Sequence, residues 1–220
     1  MSTRQGFSAR KARFLNRWHA RRSTRVKAVA AFRSAPEPRT IGSFARGRQL
    51  LAGNYLFSGH LFEGKGTLIW DVEPPDKAWL NEIHGFAWMD DLASVGDMAT
   101  RKLAQDWLEG WLEKYGGGRG HGWTPDLTGR RLIRWISHGI FLLRGLVPKT
   151  SEAFFQSLSQ QTFFLSKRWH SAAPGLPRFE ALTGLIYAGL PLKGWRPRPS
   201  LPWRPCPANA HRKSTRRADC

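Results

Sequence analysis

The sequence predicts an all-α fold built from antiparallel helical hairpins. Three observations point to it. Apolar residues recur at spacings of three and four, glycine and proline cut these runs into pieces of roughly 12 to 22 residues, and only residues 67–72 read as a short strand or extended loop. Successive helices of that length with short connections pack as antiparallel neighbours. With 220 residues, 41% of them hydrophobic and eleven of them Trp, the chain can bury a real core.

Taken in order, residues 4–33 wind as a basic amphipathic helix, with Phe7, Phe14, Trp18 and Val29 as an incomplete apolar stripe and arginines over the rest. Pro36 and Pro38 end that segment. Residues 44–60 read as helical or irregular. Asp76 is an N-cap for a helix through about Ser94 that Gly96 closes, and Asp97 opens the next, from Met98 to Tyr115. In that second helix Leu103, Trp107, Leu108, Trp111 and Leu112 form the apolar stripe, and the glycines at 116–118 terminate it. Thr124-Pro125 starts a third helix running to about Arg144, with Ile133, Ile136, Ile140 and Leu143 on one face. A fourth spans residues 151–171 and a fifth residues 178–190.

The net charge of +19 sits at the two ends. Residues 1–48 hold 13 Lys+Arg against Glu37 alone, residues 193–220 hold 8 against Asp219 alone, and the stretch between is formally neutral. The body is therefore not a basic nucleic-acid domain, and binding of nucleic acid is an alternative only for the ends. The organisation expected is a basic arm over 1–35, a helical domain over 36–192 and a basic, proline-rich, disordered tail over 193–220. The tail's change of character is also compatible with a frameshift near residue 193. Leu132 to Leu143, the longest apolar run, is broken by Arg134, Ser137 and His138, so no membrane span is expected. Without a secretory signal segment the expected location is the cytoplasm. Cys206 and Cys220 lack disulfide or zinc spacing, no His pair has metal-ligand spacing, and neither a metal nor another cofactor is indicated.

Three constellations carry candidate chemistry. On the third helix Arg130, Arg134 and His138 share one face, Arg131 flanks them beside Trp135, and Trp123 stands just before the helix. Forked guanidinium groups bind carboxylates and sulfates, and an indole stacks on the apolar face of a sugar. The set suits an anionic polysaccharide, or else it is the solvated polar side of an amphipathic helix. The second is Glu82, His84, Trp88, Asp90 and Asp91, where a histidine beside carboxylates can serve as acid or base or simply hydrogen-bond within a helix interface. The third is Arg178, Glu180 and Tyr187 in the last helix, with Tyr187 in an apolar setting that reads as core. The glycines of 116–120 follow a helix and lack the Lys-Ser/Thr end of a phosphate loop.

Four segments carry a resemblance: RGRQLLAGN at 46–54, HGFAWMDDL at 84–92, GWTPDLTGRRLIRWI at 122–136 and PGLPRFEALTGL at 174–185. Together they resemble the N-terminal part of heparinase II/III-like proteins over residues 36–192. The resemblance implies part of an incomplete (α/α) toroid, followed in such proteins by a β-sandwich, and β-elimination on a uronic-acid-containing polysaccharide. In that reaction a base removes the proton alpha to the carboxylate and an acid protonates the leaving oxygen. Members use Asn, Tyr and His from later toroid helices and the domain junction, so this chain is expected to be a fragment inactive alone. Lyases of the family often begin the helix equivalent to residues 178–190 with Asn-His, where this sequence has Leu176-Pro177-Arg178. The substrate-facing residues expected are Trp123, Arg131, Arg134, His138, Arg178 and Glu180, all for binding rather than catalysis.

Overall fold

The computed structural model describes residues 2–29, 31–32, 40–190 and 192. Pro36, Pro38 and the 193–220 tail with its proposed frameshift lie outside the described residues. The molecule is mostly helical, 65% helix, and the described residues form nine α-helices and one small two-stranded hairpin. In chain order these are α1 (Ser2–Ser23), α2 (Phe44–Ala52), β1 (Asn54–Phe57), β2 (His60–Glu63), α3 (Lys77–His84) and α4 (Trp88–Val95). There follow α5 (Met98–Tyr115), α6 (Pro125–Ser137), α7 (Gly139–Leu143), α8 (Pro148–Arg168) with a 3-10 turn over Trp169–Ser171, and α9 (Leu176–Gly189).

The antiparallel hairpin pairs Asn54 with Glu63 and Phe57 with His60 across the residues Ser58 and Gly59. The expectation of a mainly helical or irregular 44–60 holds over α2 and is corrected by this hairpin beyond it, and 67–72 is not the extended piece. Ser58 and Gly59 both adopt positive φ, 50° and 84°, the geometry of the two-residue turn whose twist matches paired strands. Residues 69–71 form a turn instead of a strand. Buried Tyr55 and Phe57 alternate with exposed Leu56, the period-two signature of a half-buried strand.

The caps formed where local chemistry demands them. Asp76 accepts from the backbone N–H of Trp79 and Asp97 from that of Thr100, which starts α3 and α5. Gly96 closes α4 in the left-handed region, at φ 71°. Two helices expected to be continuous are broken. The helix through 76–94 splits at Gly85–Ala87, where Phe86 takes φ 61°. A left-handed residue other than glycine costs roughly 1–2 kcal/mol. The turn aims the fully buried Phe86 ring at Trp88, Trp111 and Trp135, with centroids 4.7, 6.0 and 5.4 Å away. Burying a phenylalanine contributes about 1.5–3 kcal/mol, enough to offset that strain. The helix from Thr124 likewise ends at His138 (φ −100°, ψ 19°) before α7. Its buried face is Leu127, Leu132, Trp135 and Ile136, whereas Ile140 is 71% exposed, which corrects the isoleucine face read from spacing.

The core is an aromatic cluster in which Trp79, Trp88, Trp107, Trp111 and Trp135 are fully buried. Three indole N–H groups of the core have acceptors, while Trp135 Nε1 is buried without one among the described residues. Trp88 Nε1 donates to the Ile83 carbonyl (3.1 Å), Trp70 Nε1 to that of Trp107 (2.6 Å), and Trp111 Nε1 to His84 Nδ1 (3.2 Å). The closest helix pair is α6 on α9, and two glycines permit it. A Cβ on Gly184 would lie 2.4 Å from Gly129 Cα, and one on Gly129 would lie 2.3 Å from the Glu180 carbonyl oxygen.

The basic arm is docked. Arg168 Nε on α8 donates to Asn16 Oδ1 (2.7 Å), Gln156 Nε2 donates to the Val26 carbonyl (2.7 Å), and the Val29 N–H donates to Ser159 Oγ (2.8 Å). Ala20, Ser23 and Val29 are the buried residues of this interface. Phe14 and Trp18, 67% and 45% exposed, lie on the outer side, so the apolar stripe proposed for them does not face the body. Phe32 forms an isolated antiparallel bridge with Leu192. No helix among the described residues is long and apolar enough to cross a membrane.

Candidate functional site

The three arginines of α6 and His138 at its C-cap diverge into three settings. Arg131 points inward and is fully buried. Its Nε donates to Gln161 Oε1 on α8 (2.7 Å), Nη1 to the carbonyls of His84 and Gly122 (both 3.1 Å), and Nη2 to Gly122 O (3.1 Å) and Thr128 Oγ1 (3.4 Å). Its guanidinium also lies 4.2 Å from the Trp111 ring centroid. No carboxylate accompanies it, so burial pulls its pKa down to about 9, which still leaves it charged at neutral pH. The group is held by neutral acceptors and an indole face, and all five of its donors are used inside the protein.

His84 forms the other half of this centre. Its Nδ1 accepts from Trp111, so the ring proton resides on Nε2, which is buried without a partner among the described residues. Burial first, then the positive charge of Arg131 and the neighbouring His121, lower its pKa to about 3. A Cβ on Gly122 would lie 2.6 Å from His84 Nδ1, so a glycine is needed for the chain to pass. Trp123, next to it, is buried and donates through Nε1 to the Tyr115 carbonyl (2.7 Å).

Arg134 and His138 converge on Asp90. Arg134 Nε lies 3.1 Å from Asp90 Oδ2 and His138 Nε2 lies 2.8 Å from Asp90 Oδ1, tying α6 to α4. The adjacent Asp91 faces the other way, towards α2: its Oδ1 accepts from the Ser43 N–H (2.8 Å), and Arg46 Nε lies 3.4 Å from Oδ2. Burial raises the Asp91 pKa, while the Ser43 N–H and then Arg46 oppose the rise. Glu82 completes the chain of charges, pairing with Arg46 (3.3 Å) and accepting from Ser58 N (2.6 Å) at the hairpin turn. Both aspartates lie in the first turn of α4, where the helix dipole favours negative charge.

The third setting is the outer edge by α9. Arg130 Nε is 2.8 Å from Glu180 Oε1, close enough for charge pairing but off the N–H axis, and Glu180 Oε2 is buried without a hydrogen-bond partner among the described residues. Arg178 Nη2 donates to the carbonyls of Ala172 (3.0 Å) and His170 (3.3 Å). Tyr187 is partly buried against the core. Of the six residues read as substrate-facing, Trp123, Arg131 and His138 are buried, Arg134 is committed to Asp90, and Arg178 and Glu180 lie partly open on α9.

Sequence reasoning missed Gln161, Thr128 and Ser43, the neutral partners that make these charges tolerable. The periodicity of Gln161 with Ser157, Phe164 and Leu165 on the buried side of α8 is the signal that would have placed it inside. Among the described residues no three His, Cys, Asp or Glu side chains gather as metal ligands. No family model, no curated protein and no solved structure matches this chain.

Proposed function

We propose that the chain supplies the leading helical hairpins of an incomplete (α/α) toroid of the heparinase II/III type, and that it holds an anionic, uronic-acid-containing polysaccharide without cleaving it alone. One observation carries the architectural part. On α9 and its C-cap the residues Leu176, Phe179, Thr183, Ile186 and Leu190 recur at spacings of three and four and are all exposed, opposite the buried Ala181, Gly184 and Ala188. A helix that is packed on one side and carries a seam of four apolar residues broken only by Thr183 on the other suits the inside of a larger helical layer. The ligand class rests on the resemblance over residues 36–192.

In this reading Arg178 and Glu180 are the contact residues, and Trp123, Arg131, Arg134 and His138 fix the helix that supports them. A guanidinium at 178, where lyases carry an amide, pairs with a uronate carboxylate in forked geometry but transfers no proton near neutral pH. The side chains that move protons in β-elimination are not among these six.

The test uses the full chain in native gels containing alginate, hyaluronan or neutral dextran. Retardation by the two carboxylated polymers alone, weakened by Arg178→Gln, is the expected result. Equal mobility of wild type and Arg178→Gln in alginate would refute the contact role. Unsaturated uronate appearing in ultraviolet absorbance would show that the chain carries its own catalytic set and refute the binding-only reading.

A further inference from the structure

The exposed side of α1 holds a feature that the α9 edge does not explain. Trp18, Arg21, Arg22 and Arg25 line an open groove of about 190 Å³ on the last turns of that helix and the turn that follows it. The Arg22 guanidinium carbon lies 5.1 Å from the Trp18 ring centroid, so the indole and one cation are already arranged as a pair. All three arginines are exposed, and the ion pairs among the described residues lie on the body, none of them involving α1. Charge of this sign without acidic partners repels itself and favours a bound anion.

The positive charge continues beyond the groove. Exposed Lys167, at the end of α8, adds a cation to the field that His19 meets from Arg22, whereas Arg168 is buried and bound to Asn16 and the Ala12 carbonyl. A single small anion engages one or two of the exposed cations, whereas a linear polyanion engages more of them. The arm is fixed in place by the Asn16, Val26 and Val29 contacts to α8, so the groove is presented in one orientation.

We propose that the groove of Trp18, Arg21, Arg22 and Arg25 is a binding site for the sulfate or carboxylate groups of an anionic saccharide chain. The guanidinium groups take the oxyanions in forked hydrogen bonds, and the Trp18 indole lies against the apolar face of a sugar ring. The choice of saccharide rests on the proposed function, and the site itself rests on the geometry of α1.

The experiment is calorimetric titration of the full chain with a heparin-derived oligosaccharide, and in parallel with single-stranded DNA of equal charge number. The variant Arg21→Gln/Arg22→Gln/Arg25→Gln is expected to bind the saccharide at least roughly tenfold more weakly, since three exposed charge pairs contribute a few-fold each. Trp18→Ala is also expected to weaken it. The control Arg10→Gln/Lys11→Gln/Arg13→Gln removes the same charge from the same helix outside the groove, and affinity should fall far less. Equal loss in the two triple variants would mean that net charge alone binds, and would overturn the site. DNA binding as tight and as groove-dependent as saccharide binding would overturn the saccharide assignment. Loss in the groove variants with Arg178→Gln silent on alginate leaves this site standing and removes the α9 contact. The reverse pattern removes the groove and leaves α9.

Discussion

Lowering the pH from 7 to 5 should destabilise this protein through His84, and the size of the effect follows from where the ring sits. The native state holds His84 neutral, with Nδ1 accepting from Trp111 and the Arg131 guanidinium hydrogen-bonded to its carbonyl. Protonating Nδ1 turns an acceptor into a second donor facing Trp111 Nε1, beside a buried cation. Its pKa is about 3 when folded and 6.5 in a model chain, so between those values the unfolded chain binds a proton that the native state refuses. Stability is then complete above pH 6.5 and falls as the pH drops towards 3. At pH 5 the loss is about 2 kcal/mol, from one and a half units at about 1.36 kcal/mol each. Urea unfolding at pH 7 and pH 5 measures it, with His84→Gln as the comparison. Gln at 84 offers an amide oxygen to Trp111 and does not titrate. His19, His121 and His170 are also held low, by burial first, and Asp91 is held high, so wild type alone mixes several groups. The difference between the two proteins isolates one. An acid-induced drop as large in His84→Gln as in wild type would refute the reasoning.

Two further outcomes follow from the packing. Gly184→Ala places a methyl 2.4 Å from Gly129 Cα, with backbone on both sides and nothing flexible to yield. It should cost at least about 1–3 kcal/mol in urea unfolding, as overpacking does, and a variant as stable as wild type would mean that α9 does not seat on α6 this closely. Asp90→Asn removes the anion shared by Arg134 and His138 and should lower stability by about 1.5–3 kcal/mol, the usual worth of a hydrogen bond to a charged group. Double-mutant cycles with Arg134→Gln measure how much of that loss is the pair itself.

Helix starts and stops were legible because each is a local event. Asp76, Asp97, Thr124-Pro125 and Gly96 act on their own turn of backbone, and the structure has them in those roles. What sequence spacing could not reveal was decided by contacts distant in the chain. The break at Phe86 exists because Trp88, Trp111 and Trp135 surround that ring, and no property of Gly85-Phe86-Ala87 alone announces them. The hairpin was missed for a different reason. Its alternation, Tyr55 and Phe57 in and Leu56 out, and its Ser58-Gly59 turn were present locally, but the four-residue strands are short enough to read as irregular. The candidate site was the least legible. A face containing Arg130, Arg134 and His138 looks the same on paper whether it meets solvent, substrate or Asp90 and Glu180.

The segment at 122–136, which carries much of the resemblance, has a structural account at nearly every position. Gly122 lets the chain pass His84, Trp123 caps the end of α5 through the Tyr115 carbonyl, Pro125 starts α6 and Gly129 seats α9. Arg131 gathers Gln161, Thr128 and the carbonyls of His84 and Gly122, so one side chain connects α3, α6, α8 and the loop before α6. A buried, unpaired guanidinium is an expensive way to join helices, since desolvation opposes it and a neutral side chain fills volume at less cost. Its advantage is geometric: five fixed donors specify the positions of four acceptors, which no aliphatic residue can do. Residues that look like a sugar site when read along the helix are thus sufficiently explained by folding. The functional reading then rests on the open cations of α1, which folding leaves unpaired among the described residues, and on the partly exposed Arg178, only one of whose terminal nitrogens is bonded to backbone carbonyls.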